Sequence, residues 1–333
     1  MFAVSERVKV LALLSGGLDS TLAVKIVQDL GMDVEAVHFT TPFCQCDKCA
    51  VNAVGEELRI KIHHLFSGED FLDLLMDPLH GYGSQMNICI DCRILMLRKA
   101  KELAEKIGAE YFVTGEVLNE RPFSQRLPAM RLIEKEAGLE GRILRPLSAK
   151  LLPETELEKK GLIDRGALHS ISGRRRTPQM SLAEELGLRD YPCPSGGCLL
   201  TDPQFARRLR DHLFHEGRPT LEQIALLRLG RHFRMGAAKI VVGRNEEENP
   251  ALLAIAERRA MPHMSAVEYV GPVTLVLGGR DDEIVEKAAA ITARYSDAPR
   301  GAPVEVRYTN EVGATTTLLA IPIEDEELEK WRI

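Results

Sequence analysis

The chain has no apolar run approaching the roughly 18 residues a membrane-spanning helix needs. It has no low-complexity segment and no internal repeat, so neither compositional disorder nor a repeat array is indicated. It also lacks the Gly-Lys-Ser/Thr string of a Walker loop, which excludes a conventional phosphate-transferring P-loop enzyme. Glu6, Arg7 and Lys9 precede the first apolar run, which therefore reads as a first strand and not as a signal peptide; a cytoplasmic location is expected. What remains is ordinary for a globular chain of 333 residues: 45% apolar, 28% charged, and long enough for two or three domains. A net charge of −6 argues against a polyanionic partner, but the charge is unevenly spread. Residues 165–239 hold 13 Lys/Arg against 7 Asp/Glu, a basic segment that suits a localised polyanion-binding face or, equally, a set of solvated helix faces.

The most informative stretch is Ser15-Gly16-Gly17-Leu18-Asp19-Ser20. It follows the apolar run Val8–Leu14 and precedes a segment of helical periodicity, giving the order strand, glycine turn, helix N-terminus. Free backbone N–H groups and the helix dipole at such a turn favour a phosphate, and two glycines let the backbone approach it. Ser15 and Ser20 add hydroxyl donors, and Asp19 can cap the helix or face a bound metal.

Strand and helix patterns alternate through the first half. Strands are predicted at 8–14, 34–39, 60–66, 111–117 and 143–147, with helices at 19–30, 53–58 and 92–107. This implies an α/β domain, a parallel sheet flanked by helices, with its ligand at the carboxyl ends of the strands. Residues 153–188 read as helical with a Gly-Arg break at 172–178, followed by a Pro/Gly/Cys loop over 191–200 and a helix over 203–215. Gly217-Arg218-Pro219 reads as a linker, and strands at 239–242, 266–270, 274–277, 304–308 and 315–321 with helices at 250–259 and 282–295 predict a C-terminal α+β domain. The predicted organisation is thus a nucleotide domain over 1–165, an extension over 166–216 carrying Cys193 and Cys198, and the α+β domain over 217–333. His63 and His64 fall within a strand, where a core or edge histidine is expected; His212, His215 and His232 are expected on helix surfaces.

All seven cysteines fall into three groups: Cys44, Cys46 and Cys49; Cys89 and Cys92; Cys193 and Cys198. In a cytosolic chain this grouping points to metal or redox chemistry more than to structural disulfides. Cys89 and Cys92 open the long helix, where the dipole is expected to favour thiolate. Three groups on one rim can supply thiolate ligands to an iron–sulfur cluster or to Zn²⁺.

The Ser15–Ser20 string resembles the pyrophosphate loop of the N-type ATP pyrophosphatase (PP-loop) superfamily, of the adenine nucleotide alpha hydrolase type, which cleaves ATP between its α and β phosphates. Thr114-Gly115-Glu116, Ser124-Gln125 and Leu144-Arg145-Pro146-Leu147 are similar to the nucleotide-domain pattern of tRNA 4-thiouridine synthetases. Met86–Cys92 and Gly196–Leu200 look like bacterial thiouridylase-like proteins. The resemblance implies that Ser15, Gly16, Gly17, Leu18, Asp19 and Ser20 hold ATP with Mg²⁺, and that the main chain near His38, Phe39 and Thr40, with Gly115, holds its adenosine. It also implies a [4Fe–4S] cluster on Cys89, Cys92 and Cys198, with Cys193 the alternative third ligand and one iron left to carry sulfur. Cys44, Cys46 and Cys49 form a candidate second metal site, a second sulfur relay or part of the cluster. Asp19, Cys92 and Cys198 are the candidate catalytic residues. Neither the THUMP region nor the rhodanese domain of some relatives is found; instead Val241–Asn249 resembles the start of the RNA-binding module of NFACT proteins.

The reading that follows is ATP-dependent tRNA thiolation. A uridine is adenylated with release of pyrophosphate, and sulfur then displaces AMP. Arg174, Arg175, Arg176, Arg207, Arg208 and Arg210 are expected to bind tRNA phosphates. Sulfur is expected from a cysteine desulfurase, a persulfide carrier or inorganic sulfide, and a homodimer is the candidate assembly. The alternatives are another adenylating ligase or amidotransferase acting on a small molecule, and a non-enzymatic RNA-binding protein.

Overall fold

The computed structural model describes residues 7–45, 48–188, 197–279 and 281–333, without the side chains of 48–50. The chain divides into two compact units, Met1–Asp202 and Pro203–Ile333.

The first unit is built from β1 (Lys9–Leu13), α1 (Leu18–Asp29), β2 (Asp33–Thr40), α2 (Lys48–Leu58), β3 (Ile62–Phe66), α3 (Glu69–Met76), α4 (Cys89–Ile107), β4 (Tyr111–Thr114), α5 (Leu127–Ala137), β5 (Ile143–Leu144), α6 (Glu156–Lys159) and α7 (Thr177–Glu185). Its five strands pair in parallel in the order β3-β2-β1-β4-β5. Both faces of β1 are buried, which explains its unbroken apolar run. Val10, Ala12, Val34 and Ala36 pack with α1 on one face, and Leu11, Leu13, Val37, Phe39 and Phe112 pack with α4 and α5 on the other. Gly108 and Gly138, both left-handed, end α4 and α5. The strand order reverses between β1 and β4, so the crevice beyond their carboxyl ends is the expected ligand position.

The second unit contains α8 (Pro203–Glu216), α9 (Leu221–Leu227), β6 (Arg231–Met235), β7 (Ala238–Val242), α10 (Glu248–Arg259), β8 (His263–Ala266), β9 (Thr274–Leu277), α11 (Asp282–Arg294), β10 (Val304–Thr309), β11 (Thr315–Ala320) and α12 (Asp325–Glu329). Its sheet is antiparallel, in the order β11-β10-β8-β9-β7-β6. Phe233, Ile240, Met264, Val276 and Val306 pack with Ala288 and Ile291 of α11 in its main core.

Several elements differ from the sequence expectation. The strand expected over 266–270 forms at 263–266, because His263 and Met264 pair with Leu275 and Thr274 while Val270 is exposed. β6 escaped the periodicity search because Arg231-His232-Phe233-Arg234 reads as polar; its hairpin with β7 turns at Gly236, φ +58°. His232 is accordingly a buried strand residue and His212 is buried on α8, neither being a helix-surface residue. No helix among the described residues is long and apolar enough to cross a membrane.

Candidate functional site

The chain leaves β1 at Leu13 and turns through Ser15–Gly17 into α1. Gly17 is the N-cap residue in extended conformation, and no side chain caps the helix. The first helical bond runs from Thr21 N–H to Gly17 O at 3.1 Å, so the N–H groups of Leu18, Asp19 and Ser20 have no helical carbonyl ahead of them. Ser20 Oγ donates to Gly17 O at 2.8 Å and lies 3.1 Å from Ser15 Oγ. Two glycines make the close approach possible. Gly16 has φ +80°, and a Cβ there would lie 2.7 Å from Val51 Cγ2; a Cβ on Gly115 would lie 2.4 Å from Ser20 N and 2.5 Å from Asp19 O. The turn after β4 is therefore seated directly on the turn after β1.

A cavity of about 230 Å³ opens at this point, lined by Ser15, Gly17, Asp19 and Ser20, by Gly115, Glu116, Glu120 and Arg121 after β4, and by Arg176 ahead of α7. Asp19 does not cap α1. Burial raises its pKa, and the Arg176 guanidinium opposes that rise. Arg176 Nη2 lies 3.7 Å from Asp19 Oδ2 and 3.7 Å from Glu120 Oε1. Glu120 is likewise raised, by burial and then by the neighbouring Asp19 charge. Glu116 behaves oppositely: burial would raise it, but Arg93 and Arg145 hold it below its ordinary value. Arg145 Nε donates to Glu116 Oε2 at 3.0 Å and its Nη1 to Glu134, tying the β4 turn to α5.

Strand alternation decides which β2 residues face the cavity. Val37, Phe39 and Thr41 line it, while His38 points to the opposite face, where its Nδ1 meets Leu14 O at 2.9 Å. Leu18 is a core residue, so its backbone alone faces a ligand. Of the segments whose main chain is expected at the adenosine, Phe39 and Gly115 line the cavity, with Thr41 next in the chain after Thr40.

The same cavity is lined by Cys89, Cys92 and Cys198, all free thiols. Cys89 and Cys92 occupy the first turn of α4. Cys198 arrives on a short antiparallel pairing: Gln45 N–H donates to Gly197 O at 3.0 Å and Leu199 N–H to Phe43 O at 2.9 Å, while Met86 N–H donates to Leu200 O. Helix-dipole activation is not what governs Cys92. Burial pushes Cys92 up to about 12 and Cys198 up to about 11, outweighing Arg93 and the Leu200 N–H respectively. Around them, Asn87 Nδ2 lies 3.5 Å from Cys89 Sγ, and the buried Asp91 accepts from the His80 ring and backbone. No group of three His, Cys, Asp or Glu side chains among the described residues is set to hold a metal ion. Cys44 is disulfide-bonded, which removes it from the expected second metal set; Cys46, Cys193 and the Cys49 side chain lie outside the described residues.

The six arginines expected on an RNA face separate. Arg174 and Arg175 are exposed, but Arg176 turns into the cavity. Arg207 and Arg210 are exposed on α8, whereas Arg208 is buried and donates to Gly230 O at 3.2 Å, a structural role. Sequence reasoning missed Glu120, Arg121 and Arg93 at the cavity. Their signal was their place, just beyond Gly115 or just after Cys92.

Comparison with known proteins agrees with both halves of this description. Residues 5–150 match the family described as thiamine biosynthesis protein (ThiI), and residues 230–332 match the NFACT protein RNA binding domain. A tRNA-specific 2-thiouridylase MnmA of Campylobacter curvus is 31% identical over 115 residues, covering 32% of this chain and 34% of the relative. A probable tRNA sulfurtransferase of Thermococcus kodakarensis is 27% identical over 162 residues, covering 47% of this chain and 39% of the relative. The chain thus spans little more than a third of the length of these curated relatives. A solved 4-thiouridine synthetase–RNA complex with bound ATP is 20% identical, with a TM-score of 0.41, over 75% of this chain and 52% of that one.

Proposed function

We propose that this protein, which carries a ThiI-type nucleotide domain and an NFACT-type RNA-binding domain, is an ATP-dependent tRNA sulfurtransferase. One observation carries the reading: three free thiols, Cys89, Cys92 and Cys198, line the same cavity as the Ser15–Ser20 loop. Adenylation of a small molecule accounts for the loop and leaves the thiols unexplained.

The loop's part is to bind and orient. The free N–H groups at the start of α1 and the Ser15 and Ser20 hydroxyls receive the β and γ phosphates, with Asp19 available to a magnesium ion. A uridine carbonyl oxygen attacks the α phosphorus, forming the O–Pα bond as the bond to the bridging oxygen breaks and pyrophosphate leaves on the loop. Sulfur then bonds to the same base carbon, and AMP departs with the former carbonyl oxygen.

The chemistry of the donors suits an iron–sulfur cluster, since three thiols, none in a disulfide, line one cavity, although this structure does not draw them together as a metal set. The raised pKa values of Cys92 and Cys198 are those of metal-free thiols, since a coordinating metal deprotonates a thiol outright. Cys89, Cys92 and Cys198 would hold the cluster, which would supply an open iron to bind the transferred sulfur. Arg174, Arg175, Arg207 and Arg210 remain the candidates for tRNA phosphates.

The test is nucleoside mass spectrometry of tRNA incubated with the protein, ATP and sulfide under anaerobic conditions. A thiouridine that appears with wild type and is absent with Cys198→Ala supports the proposal. Failure of the wild type to thiolate any tRNA while still forming AMP with another acceptor would assign the cavity to a different adenylation.

A further inference from the structure

Arg176 sits between two acidic side chains without committing to either. Both of its contacts, to Asp19 and to Glu120, are 3.7 Å long, beyond hydrogen-bond distance, and the side chain is partly exposed to the cavity. Asp19 is correspondingly under-satisfied: its Oδ1 is buried and makes no hydrogen bond of ordinary geometry. Gln179, one helical turn beyond Arg176, is fully buried with its amide near enough to Asp19 to stabilise the carboxylate, yet neither amide atom makes a hydrogen bond of ordinary geometry. A buried amide so poorly satisfied is costly, and native structures carry such a cost where a ligand is to arrive. Both residues come from one element: Arg176 is the N-cap residue of α7, which packs along α1, the helix whose first turn is the phosphate loop.

We infer that Arg176 is a polyphosphate-binding residue. It is held by Asp19 and Glu120 as a provisional counter-ion, and it transfers to the β and γ phosphates of ATP when the nucleotide enters the loop. A guanidinium matches phosphate geometry bidentately and binds it more strongly than a carboxylate at 3.7 Å. Its transfer would free Asp19 from its counter-ion at the moment the polyphosphate brings its own cation. This assignment takes Arg176 out of the RNA-contacting set while leaving the exposed Arg174 and Arg175 in it. The inference rests on the proposed use of ATP at this loop.

Isothermal titration of the full-length protein with ATP and, separately, with AMP in the presence of magnesium tests it without any tRNA. Arg176→Gln removes a charge-assisted contact of the kind that spans about 1.5–3 kcal/mol, so ATP should bind roughly ten- to a hundredfold more weakly, with AMP affinity unchanged. Arg176→Lys, which keeps the charge but loses the fork, should fall between wild type and Arg176→Gln, and it retains the ion-pair partner if folding needs one. Arg176→Gln binding ATP as tightly as wild type would overturn the inference. So would equal losses for ATP and AMP in both variants, the mark of a merely structural residue. A wild type that binds no ATP would instead defeat the functional reading on which the inference rests.

Discussion

Replacing Gly115 by alanine probes the seating of one turn upon another. Gly115 is not among the glycines with positive φ, so alanine meets no backbone strain there; the cost comes entirely from space. Its Cβ would stand 2.4 Å from Ser20 N and 2.5 Å from Asp19 C and O, all of them main-chain atoms that cannot rotate away. Ordinary contact begins at 3.4 Å, so the two turns must separate by about 1 Å. Overpacking of this kind costs about 1–3 kcal/mol of stability. The larger consequence is geometric, because a displacement of about 1 Å at a site of phosphoryl chemistry costs on the order of a hundredfold in rate. The assay is ATP titration together with the rate of AMP formation, alongside denaturant unfolding. Gly31→Ala is the control: its φ of +86° carries a left-handed penalty of about 1–2 kcal/mol, but nothing lies within 4 Å and the phosphate loop is untouched. Gly115→Ala should lose ATP binding and AMP formation while Gly31→Ala loses only stability. Wild-type ATP affinity and rate in Gly115→Ala would refute the seating argument.

Arg145→Gln should destabilise the first unit by about 1.5–3 kcal/mol in denaturant unfolding, because the buried Glu116 keeps Arg93 but loses its charge-assisted bond to Arg145, and Glu134 loses its own. Cys198→Ala should retain ATP binding and lose thiolation, read by calorimetry and nucleoside mass spectrometry. His232 is buried with its pKa well below 6.5, chiefly by burial, so it stays neutral when the unfolded chain takes a proton. The second unit should therefore lose stability as pH falls below 6.5, by up to about 1.4 kcal/mol per pH unit, and His232→Gln should flatten that slope in hydrogen exchange at β6 and β7. His80 has the opposite sign: its hydrogen bond to Asp91 raises its pKa, so its contribution is present below 6.5 and is lost as pH rises through the folded value. Hydrogen exchange at the start of α4 should speed up over that rise.

The parallel sheet and its loop were legible because local signals and the fold agree. The apolar run yields β1, Lys9–Leu13, buried on both faces, and Ser15–Gly17 turn the chain directly into α1. Both family resemblances, to the nucleotide domain and to the NFACT RNA-binding module, were borne out by the matches over 5–150 and 230–332. α5 was not legible: it begins at Leu127-Pro128, where proline at the first turn reads as a loop. Nor was the state of the thiols. Position at a helix start suggested thiolate, but desolvation depends on neighbours distant in sequence, here the 43–45 and 197–200 segments that close over α4. Arg176 shows the same limit, since three consecutive arginines look alike until the backbone turns one of them inward.

The central claim is that one cavity couples adenylation to sulfur insertion, and stoichiometry tests it most directly. With anaerobic protein, radiolabelled ATP, a sulfide source and an unmodified tRNA transcript, the account predicts one AMP and one pyrophosphate for each thiouridine formed. It also predicts that omitting tRNA abolishes AMP formation. Thiouridine formed without AMP, or AMP formed independently of tRNA with no thiouridine, would contradict it.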